Sequence, residues 1–352
     1  MERNYLTKQQ THMTKGLAIL CMLILHLFCR KGTDVFGQPL LWLNSDTPVV
    51  YILGFLAEIC VPLYSMCSGY AHFVIGENQN LTFRKNIRRI FKFLLNYWIV
   101  VIMFSGIGLV FHTPDIPVSF LKFIRTLFLL DSYNGAWWYV ATYVLLCLCS
   151  GAIYKIMNKI NSFLIFLLAS VQYMIFYFID AVGLLSATGN GILSFSVKQI
   201  DNFFGDVLLC YILGMLLAKM NIFTVIHNIV TEIHISATGG KVMKAVVVVI
   251  ISAIVFFLQK AIVMPYYALI IFCAFNNAPL KGITEKVFTF LGTHSTNIWL
   301  IHMFFYLCMF PGLVFIVKYP VFMLLYLLAI CVVFSYMINF IYKHLLFICQ
   351  KK

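Results

Sequence analysis

Residues 14–29 read Thr-Lys-Gly-Leu-Ala-Ile-Leu-Cys-Met-Leu-Ile-Leu-His-Leu-Phe-Cys, an apolar run with a lysine at position 15 and a histidine at position 26. The run is short enough to resemble a secretory signal. No small-x-small cleavage site follows it, however; Arg30, Lys31 and Gly32 come next. It therefore reads as an uncleaved first membrane span. The rest of the chain agrees: of 352 residues, 62% are hydrophobic and 11% are charged, with mean hydropathy +0.94. A soluble domain carries about 25% charged residues and cannot hide this much apolar surface.

The hydropathy pattern predicts an all-α polytopic integral membrane protein of about ten transmembrane helices, over residues 14–29, 48–75, 90–111, 136–156, 163–186, 203–218, 245–257, 261–278, 287–310 and 320–341. Only Leu258, Gln259 and Lys260 separate spans seven and eight, which form either a tight hairpin or a miscount. Residues 118–130, with Lys122 and Arg125, are amphipathic and suit a helix at the outer interface. The longest polar segment, 221–244, is too short for a core of its own. One membrane-embedded domain over 1–352, with no soluble domain, is expected.

Lys and Arg set the direction. With the N-terminus inside, eighteen of the 25 basic residues fall in inner segments, among them Lys15, the group Arg84, Lys85, Arg88, Arg89 and Lys92, and Lys343. Seven fall outside: Arg30, Lys31, Lys122, Arg125, Lys198, Lys260 and Lys318. The expected topology is N-in and C-in. The net charge of +13 thus reports anchoring at the inner face, since the cations are spread over loops and form no nucleic-acid-reading stripe. The 11 cysteines lie mostly in apolar runs, as Cys21, Cys60, Cys147, Cys210 and Cys331 do, and read as packing thiols. No Cys/His cluster has zinc spacing, and no metal is expected.

Ionisable side chains inside spans are expensive, so each is a candidate for function. They are His26, Glu58, Asp180, Asp206 and His302, with Lys15 at an inner edge. Lys15 and His26 are eleven residues apart, close to three helical turns, so they share a face about 16 Å apart along the axis. That pattern fits a snorkelling lysine and a packing histidine. It also fits two ends of one binding path.

Five stretches, in order, resemble acyltransferase family 3. Lys15-Gly-Leu-Ala and His26 resemble the family's first helix, which has a basic residue, ten residues, then His. Val61-Pro-Leu-Tyr-Ser-Met-Cys-Ser-Gly-Tyr70 resembles its Val-Pro-Leu-Phe-Phe-x-x-Ser-Gly-Tyr. Phe83-Arg-Lys-Asn-Ile-Arg-Arg-Ile90 resembles its basic entry to the third span, although Asn86 stands where one of two spaced Arg residues is usual. Trp137-Trp-Tyr139 resembles Leu-Trp-Phe, and Leu291-Gly-Thr-His-Ser-Thr-Asn-Ile-Trp-Leu-Ile-His302 resembles Leu-Gly-x-x-Ser-x-x-Ile-Tyr-Leu-Ile-His.

The resemblance implies transfer of an acyl group, usually acetyl, from acetyl-CoA to a hydroxyl of a surface polysaccharide or its lipid-linked precursor, in a bacterial-type inner membrane. Lys15, Arg84, Arg88 and Arg89 are then expected to hold the coenzyme phosphates. His26 is expected to act as general base, with an acyl-imidazole as the rival path. Glu58 either holds the His26 tautomer, accepts a sugar hydroxyl, or makes a structural hydrogen bond. Ser68, Tyr70, Trp138, Ser295 and His302 are substrate or oxyanion candidates. His302 is expected to support the site rather than react; the other histidines are given no catalytic role. Outer stretches 31–47, 113–135 and 188–202 are expected to choose the acceptor. No extra esterase-like domain is expected, so transfer is either direct or finished by a partner. The competing reading is a transporter or flippase for a lipid-linked glycan, which would favour inverted repeats; none is visible.

Overall fold

The computed structural model describes residues 5–31, 41–44, 47–114, 116–117, 119–184, 192–232, 237–278 and 280–350. The cations Arg3, Lys351 and Lys352, His234, and parts of the expected acceptor stretches 31–47 and 188–202 lie outside them. In chain order the helices are α1 (Lys8–Phe28), α2 (Val50–Leu56), α3 (Cys60–Glu77), α4 (Phe83–Val110), α5 (Phe120–Leu127), α6 (Trp138–Lys159), α7 (Ser162–Ala181), α8 (Ile192–Asn202), α9 (Leu208–Lys219), α10 (Ile222–Glu232), α11 (Ala237–Leu258), α12 (Met264–Asn276), α13 (Ile283–Met303), α14 (Pro311–Phe315) and α15 (Pro320–Gln350). A two-stranded antiparallel scrap, β1 (Trp42–Asn44) with β2 (Thr47–Pro48), is the only strand structure among the described residues.

Helices dominate because a lipid-facing backbone has no other way to satisfy its N–H and C=O groups. Their starts follow local chemistry. Thr7 caps α1 in a reciprocal box with Gln10, and Thr82, Ser119 and Asn161 cap α4, α5 and α7. All ten expected spans are helical. Seven helices, among the described residues, are long and apolar enough to cross a membrane: Lys8–Phe28, Val50–Glu77, Phe83–Val110, Gly135–Lys159, Ser162–Ala181, Ser196–Lys219 and Pro320–Ile348. The count of ten is thus not reached on that measure. Ala245–Leu258 and Ala261–Asn276 are shorter. They form the tight hairpin, turning at Gln259 (φ 46°) and tied by a Ser252–Tyr267 hydroxyl contact of 2.8 Å. The amphipathic segment is the short helix α5, held to α4 by Tyr97 and Trp98, which donate to the Thr126 and Leu127 carbonyls.

Small residues and polar side chains set the helix contacts, as expected where lipid offers no hydrophobic drive. A Cβ on Gly16 would stand 2.1 Å from the Phe288 carbonyl oxygen, and one on Gly292 would stand 1.9 Å from that of His12. α1 and α13 therefore lie backbone against backbone. They run parallel, since His26 meets His302 further along both. α3 and α9 make a second close contact, with Gly69 against Tyr211 and Gly214 against Met66. Asn96 donates to Asn297, which donates to Asn339, so α4, α13 and α15 are joined in series.

Candidate functional site

The α1–α13 contact organises the site. On α1, Lys15 lines a cavity of about 100 Å³ together with Met22, one turn short of His26. The opposite walls are Tyr64 and Ser68 of α3, Phe93 of α4, Tyr139 and Tyr143 of α6, and Thr296 and Trp299 of α13. The walls are aromatic and interlocked: Phe93 lies 4.8 Å from Tyr143 and 6.1 Å from Trp299, and Tyr139 lies 5.7 Å from Trp299, between ring centroids. Trp299 is fixed by donating from its indole to the Ala136 carbonyl at 3.0 Å. The void follows the α1 face from the lysine toward the histidine.

Of the four cations expected to act together, two gather here. Lys15 and Arg89 both lie within electrostatic reach of His72, and Arg89 also reaches Tyr143 on the cavity wall. Arg89 is braced by donating to the Asn86 side-chain oxygen at 2.5 Å. Asn86 is itself buried and donates to Ser150 and to the Cys147 carbonyl. Asn86, which replaces the usual Arg of the basic motif, thus aims its neighbour by one helical turn. Arg84 and Arg88 are exposed on the other side of α4. Among the described residues no carboxylate pairs with Lys15.

At the other end, the His26 ring is half-buried and makes no side-chain hydrogen bond among the described residues. Its ring neighbours are His302, 5.0 Å away between centroids, and Tyr306, 5.9 Å away. Arg30 donates back to the His26 carbonyl at 3.1 Å, which closes the helix end. Tyr306 follows His302 in a π-helical turn, Phe304–Cys308, a distortion common at functional positions. Neither Tyr306 nor Arg30 stood out from the sequence. The spacing His302 to Tyr306, one helical turn, is the only signal for Tyr306, and Arg30 reads from the sequence as an outer cation alone.

Glu58 is elsewhere. It sits in the 3-10 turn Ala57–Ile59 between α2 and α3, within electrostatic reach of Cys29, Tyr51 and Asp206. No hydrogen bond joins it to His26. The 3-10 turn resets the helical phase ahead of α3, and Glu58 meets Asp206 in the distorted turn Phe203–Val207.

Ser68 lines the cavity and donates to the Tyr64 carbonyl at 3.0 Å. Ser295 is buried and donates to Gly292 within α13. The Tyr64 hydroxyl comes near Ser295 without completing a hydrogen bond, so it is the buried donor left free beside the void. Tyr70 is remote from His26; its hydroxyl accepts from the Leu6 backbone at 3.0 Å and pins the N-terminal segment. Trp138 packs on Tyr139 behind the wall. His72 is bonded to Tyr211 and His294 to Ser335, both structural contacts.

A membrane bundle that keeps its ionisable groups and its cavity among its own helices defines a polytopic protein whose working groups lie inside the bundle. The family is shown directly: residues 12–339 match the acyltransferase domain of acyltransferase family 3, nearly the whole chain, and the chain belongs to that family. No curated protein and no solved structure matches it. Family membership makes the chain a multi-pass membrane acyltransferase.

Proposed function

We propose that the protein moves an acetyl group from acetyl-CoA at the Lys15 face to a hydroxyl of a surface polysaccharide, or its lipid-linked precursor, presented at the His26 face. The setting is a bacterial-type inner membrane, and the chain acts as one membrane-embedded unit. The observation that supports this reading is the void along α1, with an unpaired lysine at its mouth and a free imidazole one turn beyond its end. The pantetheine arm of coenzyme A is extended and largely uncharged, matching an aromatic channel. The lysine-to-histidine rise of about 16 Å is of the same order as that arm.

In this reading Lys15 and Arg89 hold the phosphates, Lys15 as a point charge and Arg89 through its planar fork. His26 takes the proton from the acceptor hydroxyl as its oxygen bonds to the thioester carbonyl carbon. The tetrahedral intermediate carries its negative charge on the former carbonyl oxygen, toward which the unpartnered Tyr64 hydroxyl is the donor the void supplies. Collapse breaks the carbon–sulfur bond, and His26 returns the proton to the departing thiolate.

Purified protein supplied with acetyl-CoA labelled in its acetyl group and a glycan acceptor is expected to yield labelled glycan and free coenzyme A. His26→Ala should lower turnover about 10³-fold or more while the protein still inserts and binds acetyl-CoA. Undiminished transfer by that variant would overturn the mechanism.

A further inference from the structure

Imidazole is a good general base only when one nitrogen is kept protonated and the other is aimed at the substrate. Among the described residues no carboxylate hydrogen-bonds to the His26 ring, and Glu58 acts electrostatically on Cys29, Tyr51 and Asp206. His302 is the ring beside His26. Its Nδ1 lies 2.8 Å from the Trp299 carbonyl oxygen and 3.2 Å from that of Ile298. A carbonyl only accepts, so Nδ1 carries the hydrogen and Nε2 carries a lone pair. That Nε2 is fully buried and has no hydrogen-bond partner. A buried acceptor left open costs about 1–3 kcal/mol, and a protein keeps one where a partner arrives during function. The titratable groups beside it are His26 from α1 and Tyr306 from the π turn, with the Arg30 cation, just beyond the end of α1, acting on both of these.

We infer that His302 is the positioning residue of His26: its Nε2 lone pair accepts the N–H of the His26 imidazole, fixing which nitrogen is the base, and holds the imidazolium formed when His26 takes the acceptor proton. The inference rests on His26 being the base. Two backbone carbonyls fix the His302 tautomer, and the buried lone pair fixes the partner's tautomer in turn. The bond is open in this structure; closed, it is neutral until His26 takes the proton and charge-assisted afterwards, so it strengthens as the transition state forms. No net proton is gained or lost at His302.

The structure also explains why these two rings meet. His26 lies ten residues beyond Gly16, and His302 lies ten residues beyond Gly292. The helices run parallel and touch at those glycines, so both histidines rise about 15 Å from the same contact. The alignment is built into the helix pair.

Three variants test the inference, each measured for insertion, acetyl-CoA binding, kcat, KM and the pH dependence of kcat/KM. His302→Phe keeps a ring and removes the acceptor. It should lower kcat about 10²-fold, leave the KM for acetyl-CoA unchanged, and shift the rising limb of the pH profile. His302→Gln keeps an acceptor that does not titrate, and should recover about tenfold of that loss. His26→Ala should be inactive, and His302→Phe added to it should cost nothing further. Equal kcat for the Phe and Gln variants, or a KM that moves in step with kcat, would mean that His302 only packs. If His26→Ala is inactive while His302→Phe is as fast as wild type with the same pH profile, His26 remains the base and the inference about His302 fails alone. An active His26→Ala removes both.

Discussion

Lys15 lines the cavity and Arg89 lies within electrostatic reach of its Tyr143 wall, whereas Arg84 and Arg88 are exposed. A charge-assisted contact contributes about 1.5–3 kcal/mol, so Lys15→Ala and Arg89→Ala should each raise the KM for acetyl-CoA about tenfold or more, and Lys15→Arg less. Arg84→Ala and Arg88→Ala should change it little. Titration of KM across the four variants checks this, and a larger effect at Arg88 than at Arg89 would relocate the phosphates. The Lys15–His26 pair is legible in sequence because both residues belong to one helix, where spacing alone fixes the face. The choice of Arg89 over its neighbour is not legible, because it depends on Asn86 finding Ser150 and the Cys147 carbonyl on α6. The pairing of His26 with His302 is hidden for the same reason, since register between separate helices is a tertiary property. Glu58 illustrates the opposite case. Its turn, Ala57–Ile59, packs on α1 as its place in the second span suggests, but its electrostatic neighbours, Cys29, Tyr51 and Asp206, come from three separate segments that the sequence does not bring together.

At the scale of elements, the α1–α13 contact is the one on which the site depends. An added Cβ at Gly292 would overlap the His12 carbonyl oxygen, so backbone must move. Gly292→Ala should therefore destabilise by roughly 1–3 kcal/mol, the usual cost of overpacking, read as a lower melting temperature in detergent. It should also lower kcat by more than the lost folded fraction, because the histidines separate. Gly106→Ala is the control: a Cβ there meets nothing within 4 Å, and helix propensity favours alanine by about 1 kcal/mol. The long apolar helices are legible in the sequence because apolar length is local, whereas α8, α10 and α14 fall in stretches that read as polar or connecting. Seven of the ten expected spans, among the described residues, have the length and apolarity of a crossing helix. The apolar part of α11, Ala245–Leu258, and α12 are individually short, and α13 carries Glu285, which accepts from Gln9 of α1, and His294 and Asn297, whose polarity is matched by partners on α15 and α4.

At the scale of the whole molecule, direction is the issue. α1, α4 and α13 run one way through the bundle, as Asn96 meeting Asn297 and Phe104 meeting Phe304 further along both helices indicate. α6 runs the other way, its start against Leu300 and its end against Asn86. Lys219 donates to the Met157 and Ile160 carbonyls at the end of α6, on the same side of the bundle as Lys15 and Arg89. Arg30 and Lys122 mark the other side, stacked on Phe315 and Tyr133. By the charge bias that orients membrane proteins, the Lys15 face is expected in the cytoplasm. Two consequences can be measured in sealed vesicles. With the exposed native thiols replaced, a cysteine at Lys122 should react with an impermeant maleimide from outside intact cells, and one at Gln79 only after permeabilisation. Acetyl-CoA should support transfer only when supplied to the compartment bounded by the Gln79 face, with labelled glycan recovered on the opposite side. Transfer driven equally from both sides would mean that donor and acceptor meet at one surface, and the void along α1 would then be a pocket rather than a path.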